Sequence, residues 1–491
     1  MKKVLKIATL ALSLTTVMTT MTSCKKKPKG YVEGKFNISI SAPNGESELQ
    51  MLTTWKQGFE ALHPDTNIII SQWSGKDTSA KDYVQLNSMQ KDKITNIFYV
   101  TDDTVSSLAQ KKNFVDLRKY YESSEETDYS HFYQSMFNTT SYNGDFRPTK
   151  SYTGSFVKTD ADGNPQSKED DREFGVFFAP REYNMPALVC NVETFNELGI
   201  SIPEDDENWD MDAFVQLLQD ISQTIASKSG TKWTTYRGIE LNQTWEPIYT
   251  TFLKHYESDG LFKMDNTGSY VANLDSEKNI SIYSEIINNF GNDAYKYAID
   301  QEANVQFVNG KICMAAVSYP EVVDYMKKCD NLQFLPLPTK YVGAGCGGYG
   351  VYAPSCFKDQ NATQPITQTV KGVTKKVVDI CWEFLSYMMS KDGQNACGKK
   401  GLIQPIRKDL ETSGEWLTSL KDKHGNPLNH KAFSEKEELS LNTYYFAEAD
   451  DRSHLRDGVN KLFKAIFEPT AKVSDINSYI NQAMYDIEMV L

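Results

Sequence analysis

The sequence predicts an α/β protein, and two observations carry that prediction. Between Phe36 and Thr101 the apolar pattern alternates strand, helix, strand, helix, strand, the order that builds a parallel sheet with helices on its faces. The chain is 491 residues long, which allows two or three domains of ordinary size. The run FNISISA at 36–42 alternates as a strand does. ELQMLTTWKQGFEALH at 48–63 puts residues 49, 52, 55, 59 and 62 on one helical face, and His63-Pro64-Asp65 stops it. NIIISQW at 67–73 reads as the second strand, 82–91 as a helix, and ITNIFYVT at 94–101 as the third strand. Asp102 and Asp103 then follow a strand's carboxyl end, where open α/β sheets place their ligands.

Further along, residues 141–172 are polar and turn-rich, an inserted hairpin or a mobile loop. The DADGN run at 160–164 resembles the start of a calcium loop, but Pro165 stands where that loop needs glycine, so no metal is expected. A strand pair, 173–179 and 187–191, is predicted to flank Pro180-Arg181-Glu182-Tyr183. Helices are predicted at 192–199, 210–227 and 276–289, and two amphipathic helices past Ser453. The Pro- and Gly-rich stretch 333–354 bridges two helical zones.

The N-terminus fixes a compartment. Lys2, Lys3 and Lys6 precede a modest apolar run from Ile7 to Met18, then Thr22, Ser23 and Cys24, the layout of a secretory leader. That run is too short and too rich in Thr to span the roughly 30 Å bilayer core. Cys24 after two small residues resembles the lipobox of bacterial lipoproteins, although Met21 stands where that family usually has Leu. The resemblance implies a signal peptide at 1–23, lipidation of Cys24 and a tether at 24–35 whose lysines lie near anionic headgroups. The expected location is the cell envelope, lipid-anchored and facing the periplasm or exterior.

The formal net charge of −13 argues against a nucleic-acid partner, which needs a basic face. The 12% aromatic content suits a core and also a cleft that stacks flat apolar ligand faces. Seven cysteines follow Cys24, none at C-x-x-C spacing, so a structural zinc site is not expected. Several lie in apolar runs, where a free thiol acts as a small buried hydrophobe; one or two disulfides are the alternative.

Seven segments in order carry a wider resemblance: FEALHPDTNIIISQW, NFVDLRKYY, FGVFFAPREYNMPALVCNVETFNELGI, ENWDMDAFVQLL, FVNGKICMAAVSYPEV, FLPLPTKYVGAGCGGYGVYAP and FLSYMMSKDGQNACGKKGLIQPIRKDL. Together they resemble the extracellular solute-binding proteins of ABC importers, the group that binds sugars and oligosaccharides. The resemblance implies a two-lobed periplasmic-binding-protein fold (type II-like), each lobe a mixed β-sheet flanked by helices, joined by a hinge. It places lobe one at 36–180 and 352–409 and lobe two at 183–348 and 410–491. The crossings would lie near Ala179–Asn184 and Gly347–Tyr352, with Gly347, Gly348 and Gly350 absorbing hinge rotation.

In such a protein the work is binding, not catalysis: ligand docks on one lobe and the other closes over it. Sugars present apolar ring faces and a rim of hydroxyls, so their sites combine aromatics with planar groups such as Asp, Glu, Asn and Arg. The candidates are Trp73, Asp102 and Asp103 on lobe one, with Arg181, Glu182, Tyr183, Trp245, Tyr319, Glu321, Tyr349 and Arg407 on the crossings, lobe two and the turn after GLIQP. Each has a plainer role open to it. Trp73 and Trp245 are equally at home in a core, Asp102 or Asp103 at a helix cap, and Arg181 and Glu182 paired with each other.

No enzyme activity, cofactor or metal is expected, and the chain is expected to be a monomer. Its partners would be a small-molecule ligand, the membrane subunits of an ABC transporter, and the membrane through the lipid. A mono- or oligosaccharide leads as ligand, then a sugar phosphate such as glycerol 3-phosphate, then a polyamine. Two rival readings are a cell-surface glycoside hydrolase, which needs two carboxylates about 5 to 10 Å apart, and a surface lipoprotein that binds a partner protein through an exposed apolar patch.

Overall fold

A computed structural model describes residues 28–73, 80–89, 93–101, 105, 108–109, 111–133, 141–142, 175–264, 270–290, 297–299, 307–359, 361–419, 421–422, 424–425, 428–434, 437–440 and 452–488. The leader, Cys24, Asp102, Asp103, the DADGN run and nearly all of 141–172 lie outside the described residues.

The N-terminal alternation folds as its pattern predicts. β1 (Phe36–Ala42), α1 (Glu46–Leu62), β2 (Thr66–Gln72), α2 (Ala80–Asn87) and β3 (Ile97–Thr101) form the start of sheet one, with β1 parallel to both β2 and β3. α1 buries Leu52, Trp55 and Phe59 of the predicted face with Met51 beside them, whereas Leu49 and Leu62, at the two ends of that face, are exposed.

The chain next enters β4 (Ala179–Asn184), the segment between the two predicted strands. Pro180–Tyr183 is strand because β4 lies antiparallel to a later strand of sheet one, and Met185-Pro186 forms the passage to the second sheet. β5 (Ala187–Asn191) opens that second sheet. α3 (Val192–Leu198) and α4 (Met211–Ser227) follow, capped by Asn191 and Asp210 side chains as turn-and-cap chemistry predicts. Then come β6 (Arg237–Leu241), α5 (Glu246–His255), α6 (Glu277–Phe290), β7 (Tyr297–Ile299), β8 (Ile312–Val317), α7 (Tyr319–Lys328) and β9 (Leu332–Pro336). Sheet two runs β7-β6-β8-β5-β9, with β6 parallel to β7 and β8, and β5 antiparallel to β8 and β9. Gly310, at φ +68°, makes the left-handed turn that lets Phe307–Asn309 feed β8.

Residues 337–340 lead into β10 (Tyr341–Val351): its first residues pack on α5, the Gly343 N–H donating to the Thr251 hydroxyl at 2.8 Å, and from Gly345 onward it pairs with strands of sheet one. β10 pairs antiparallel with β3 and β4 from Gly345 onward, while Tyr341–Ala344 pair parallel with β13 (Glu437–Ser440). The glycines of β10 allow close approach of neighbouring groups. A Cβ on Gly348 would sit 2.4 Å from the Ala179 carbonyl oxygen, and one on Gly347 2.6 Å from the Tyr99 hydroxyl. Between β10 and β13 lie the hairpin β11 (Thr367–Val370) and β12 (Val373–Lys376), then α8 (Val377–Met389) and α9 (Lys391–Gly398). α8 and α9 close over α1: the Trp55 indole N–H donates to the Gly393 carbonyl at 2.9 Å, and the Phe59 and Phe384 rings meet at 5.3 Å.

Two amphipathic helices end the chain, α10 (Arg452–Ile466) and α11 (Ile476–Glu488). Phe463 of α10 stacks on Tyr249 of α5, and Phe467, just past α10, meets Phe252 of α5 at a tilt, which fixes them on sheet two's side. Cys190, Cys313, Cys329, Cys356, Cys381 and Cys397 are buried free thiols. No helix among the described residues is long and apolar enough to cross a membrane.

Candidate functional site

A pocket of about 300 Å³ opens at the carboxyl ends of sheet two's parallel strands, the place where open α/β sheets bind ligands. Glu240 and Asn242 come from the end of β6, Trp245 from the N-cap of α5, Ser318 from the end of β8, and Glu321 and Tyr325 from one face of α7. Asn184, the last residue of β4, brings sheet one's crossing strand into the same lining. Trp245 is half-buried, its body against the core and the rest available to the pocket. Both carboxylates are held from behind. Glu240 accepts the Phe307 backbone N–H at 2.6 Å. Glu321 accepts the Ser318 N–H and hydroxyl, both at 2.9 Å, which closes a capping box on α7.

A buried charge cluster backs this pocket. Arg181 forks onto Glu48 of α1 at 2.5 and 2.8 Å and onto Glu182 at 2.7 and 3.0 Å. Its guanidinium lies 4.1 Å over the Tyr99 ring and 3.5 Å from the Tyr349 hydroxyl. Arg181 and Glu182 are 4% and 7% exposed, so this ion pair is screened little by water. Burial pushes the Glu182 carboxyl above its ordinary value, against the pull of Arg181 and hydrogen bonds from Arg181 and Asn184. Asn184 thus touches both the charge cluster and the pocket.

Of the sequence candidates, Trp245 and Glu321 line the pocket, and Arg181, Glu182 and Tyr349 form the cluster behind it. Arg181 and Glu182 do pair, with Glu48 as the third member. Tyr183 is buried and stacks flat on Tyr133, rings 4.2 Å apart. Trp73 is 5% exposed, stacks on Tyr83 and donates its indole N–H to the Ser41 hydroxyl, which makes it core. Arg407 is buried, bonded to Asp409 and Glu126, away from the pocket.

Tyr319 corrects the expectation that it faces ligand. It is fully buried among Trp416, His430 and Phe433, with ring centroids 5.3 to 5.7 Å away, because the first turn of α7 directs residue 319 into the core while residues 321 and 325 face the pocket. Its hydroxyl has no hydrogen-bond partner among the described residues. Tyr319→Phe is therefore expected to leave unfolding free energy unchanged or raise it by up to about 1 kcal/mol, since it removes an unpaired buried polar group. Denaturant titration checks this, and ligand affinity should not move.

Asn184, Glu240, Asn242 and Tyr325 went unread in the sequence. A signal existed for Asn242: RGIEL alternates as a short strand, and the residues just past it sit at a carboxyl end.

No protein-family model matches the chain, and no curated protein matches it. Solved structures do. An ABC substrate-binding protein from Listeria monocytogenes in complex with cycloalternan superposes with TM-score 0.61 at 13% identity, covering 93% of this chain and 99% of that one. The sugar-binding protein MalE from Xanthomonas citri gives TM-score 0.60 at 11% identity, covering 92% and 98%. UgpB from Mycobacterium tuberculosis in complex with glycerophosphocholine gives 0.61 at 11% identity, covering 93% and 99%. The chain has the two-lobed fold of MalE-like solute-binding proteins.

Proposed function

We propose that the chain captures a carbohydrate between its lobes and delivers it to an ABC transporter permease, working outside the cytoplasmic membrane from a lipid on Cys24. The observation that carries this reading is the pocket itself. It sits at strand carboxyl ends, offers one half-exposed indole, and surrounds it with the planar polar groups of Asn184, Glu240, Asn242 and Glu321. An indole face matches a sugar ring's C–H face, and amides and carboxylates pair with adjacent hydroxyls. Among the candidates it is Trp245 and Glu321 that would touch ligand, with Arg181 and Glu182 positioning Asn184. The solute-binding fold supports capture for transport over hydrolysis.

A thermal-shift screen of the mature protein against sugars, sugar phosphates, amino acids and polyamines tests it. Ligand at 100 times its dissociation constant adds about 2.7 kcal/mol, a shift of a few degrees in a chain of this size. A carbohydrate hit is the expected result. A hit confined to polyamines or sugar phosphates would replace the ligand class, and turnover of a chromogenic glycoside would replace binding with catalysis. Silence across the panel would move the reading toward a partner-binding lipoprotein.

A further inference from the structure

We propose that the end of sheet one where β1 begins is a docking face for an anionic phospholipid surface. This goes beyond the ligand reading and holds whatever fills the pocket. Two stretches meet there. Residues 28–35 lead into β1, and the hairpin β11–β12 leans on its first residues. Asn37 clamps both. Its side chain bonds the Val32 N–H and carbonyl, and its backbone exchanges hydrogen bonds with the Gln368 side chain at 2.7 and 2.8 Å. Asn67 adds a bond to the Gly30 carbonyl at 3.0 Å. A cavity of about 370 Å³ lies between the two stretches, lined by Tyr31, Lys35, Asn96 and Gln368 among others.

The charge at this end is opposite to that of the molecule. Among the described residues, segments 28–35 and 367–376 together hold five lysines and one acidic residue, Glu33, in a chain of net charge −13. Lys375 is paired with Glu383 at 3.0 Å, and Asp65 is a nearby acid, but Lys29, Lys371 and Lys376 are exposed. The same end shows apolar groups to solvent: Tyr31 is 37%, Val32 39% and Val373 54% exposed. Exposed lysines around a few exposed apolar and aromatic side chains are what a headgroup layer attracts. Position completes the argument. The described chain begins at Pro28, four residues after Cys24, a span of at most about 14 Å when fully extended. A lipid on Cys24 would hold this face against the bilayer and leave the pocket on the far side of sheet one.

The test uses the chain from residue 24 onward carrying Cys24→Ser, which contains every described residue and no lipid. It is sedimented with vesicles of phosphatidylcholine alone or with 30% phosphatidylglycerol. Binding is expected only to the anionic vesicles and should fade at 0.5 M salt. Lys371→Gln with Lys376→Gln should weaken partitioning about thirty-fold, near a factor of five per lysine, with unchanged thermal unfolding. Equal binding to neutral vesicles, or none to anionic ones at low salt, overturns the proposal. So does a loss produced only by replacing Lys25, Lys26 and Lys27, which would assign the effect to the tether. A dimer in solution that the hairpin variant dissolves would make the face an interface between copies instead.

Discussion

Arg181→Ala is expected to cost about 3–5 kcal/mol of unfolding free energy, the penalty for removing one partner of a buried ion pair. The cost does not come from lost attraction alone. Glu182 is 7% exposed, and without Arg181 its carboxylate would stay buried with only Asn184 and nearby polar groups to support it. Glu48, on the first turn of α1, would lose the fork that ties that helix to β4. Two measurements separate this account from simple loss of packing. Arg181→Ala with Glu182→Gln should recover part of the loss, because the amide carries no charge to strand; a double-mutant cycle reads the coupling. The deficit should also depend on pH. Burial raises the Glu182 carboxyl in the folded protein, so the folded state holds that proton more tightly than the unfolded chain. Its contribution is complete below the ordinary carboxylate value of 4.5 and is lost as pH rises through the raised folded value. Without Arg181 the lowering attraction disappears and the raise grows. The variant should then lie nearest the wild type in acid and furthest from it at neutral pH. A deficit that stays flat from pH 4 to 7 would assign the loss to packing alone.

The parts of the fold that were legible in the sequence are those that local pattern determines. β1, α1, β2 and β3 follow from period and punctuation, and α3, α4 and α6 from apolar stripes and caps, all within a few residues of their observed bounds. What failed depended on distant partners. Pro180–Tyr183 is strand because β10 lies alongside, a pairing that the proline-opened segment does not announce. The close approach of the Tyr99 hydroxyl and the Ala179 carbonyl to Gly347 and Gly348 likewise leaves no local signal. The candidate site divides in the same way. That Ser318, Tyr319 and Glu321 follow a strand's end was readable, whereas which of them faces the pocket is set by Trp416, His430 and Phe433, about a hundred residues on. Arg181 and Glu182 were legible as chemistry, since adjacent opposite charges between apolar strands need partners. Their third member, Glu48, belongs to another element and leaves no trace in their neighbourhood.

Trp245→Ala is expected to weaken binding of whichever carbohydrate the screen identifies by thirty-fold to a thousand-fold, about 2–4 kcal/mol, the range for a tryptophan at the centre of an interface. Trp245 is the single large aromatic side chain among the pocket residues that is partly open and not already stacked in a core pair; Tyr325, its neighbour in the lining, stacks on Phe307 at 5.0 Å. The polar groups around it have ties of their own. Glu240 and Glu321 are held by backbone N–H groups, and the Asn242 side-chain oxygen Oδ1 accepts from the Thr244 N–H. They are therefore oriented before ligand arrives, and little ordering entropy remains for them to lose. The indole is thus the contact whose removal costs most, because it supplies apolar area that no neighbour replaces. Isothermal titration of Trp245→Ala and Trp245→Phe against the same sugar separates stacking from bulk: phenylalanine should restore much of the affinity, alanine almost none. Stability should fall far less than in Arg181→Ala, since the side chain is half-buried and leaves no stranded charge. Unchanged affinity in Trp245→Ala would place the ligand elsewhere in the cleft and remove the observation on which the carbohydrate reading rests.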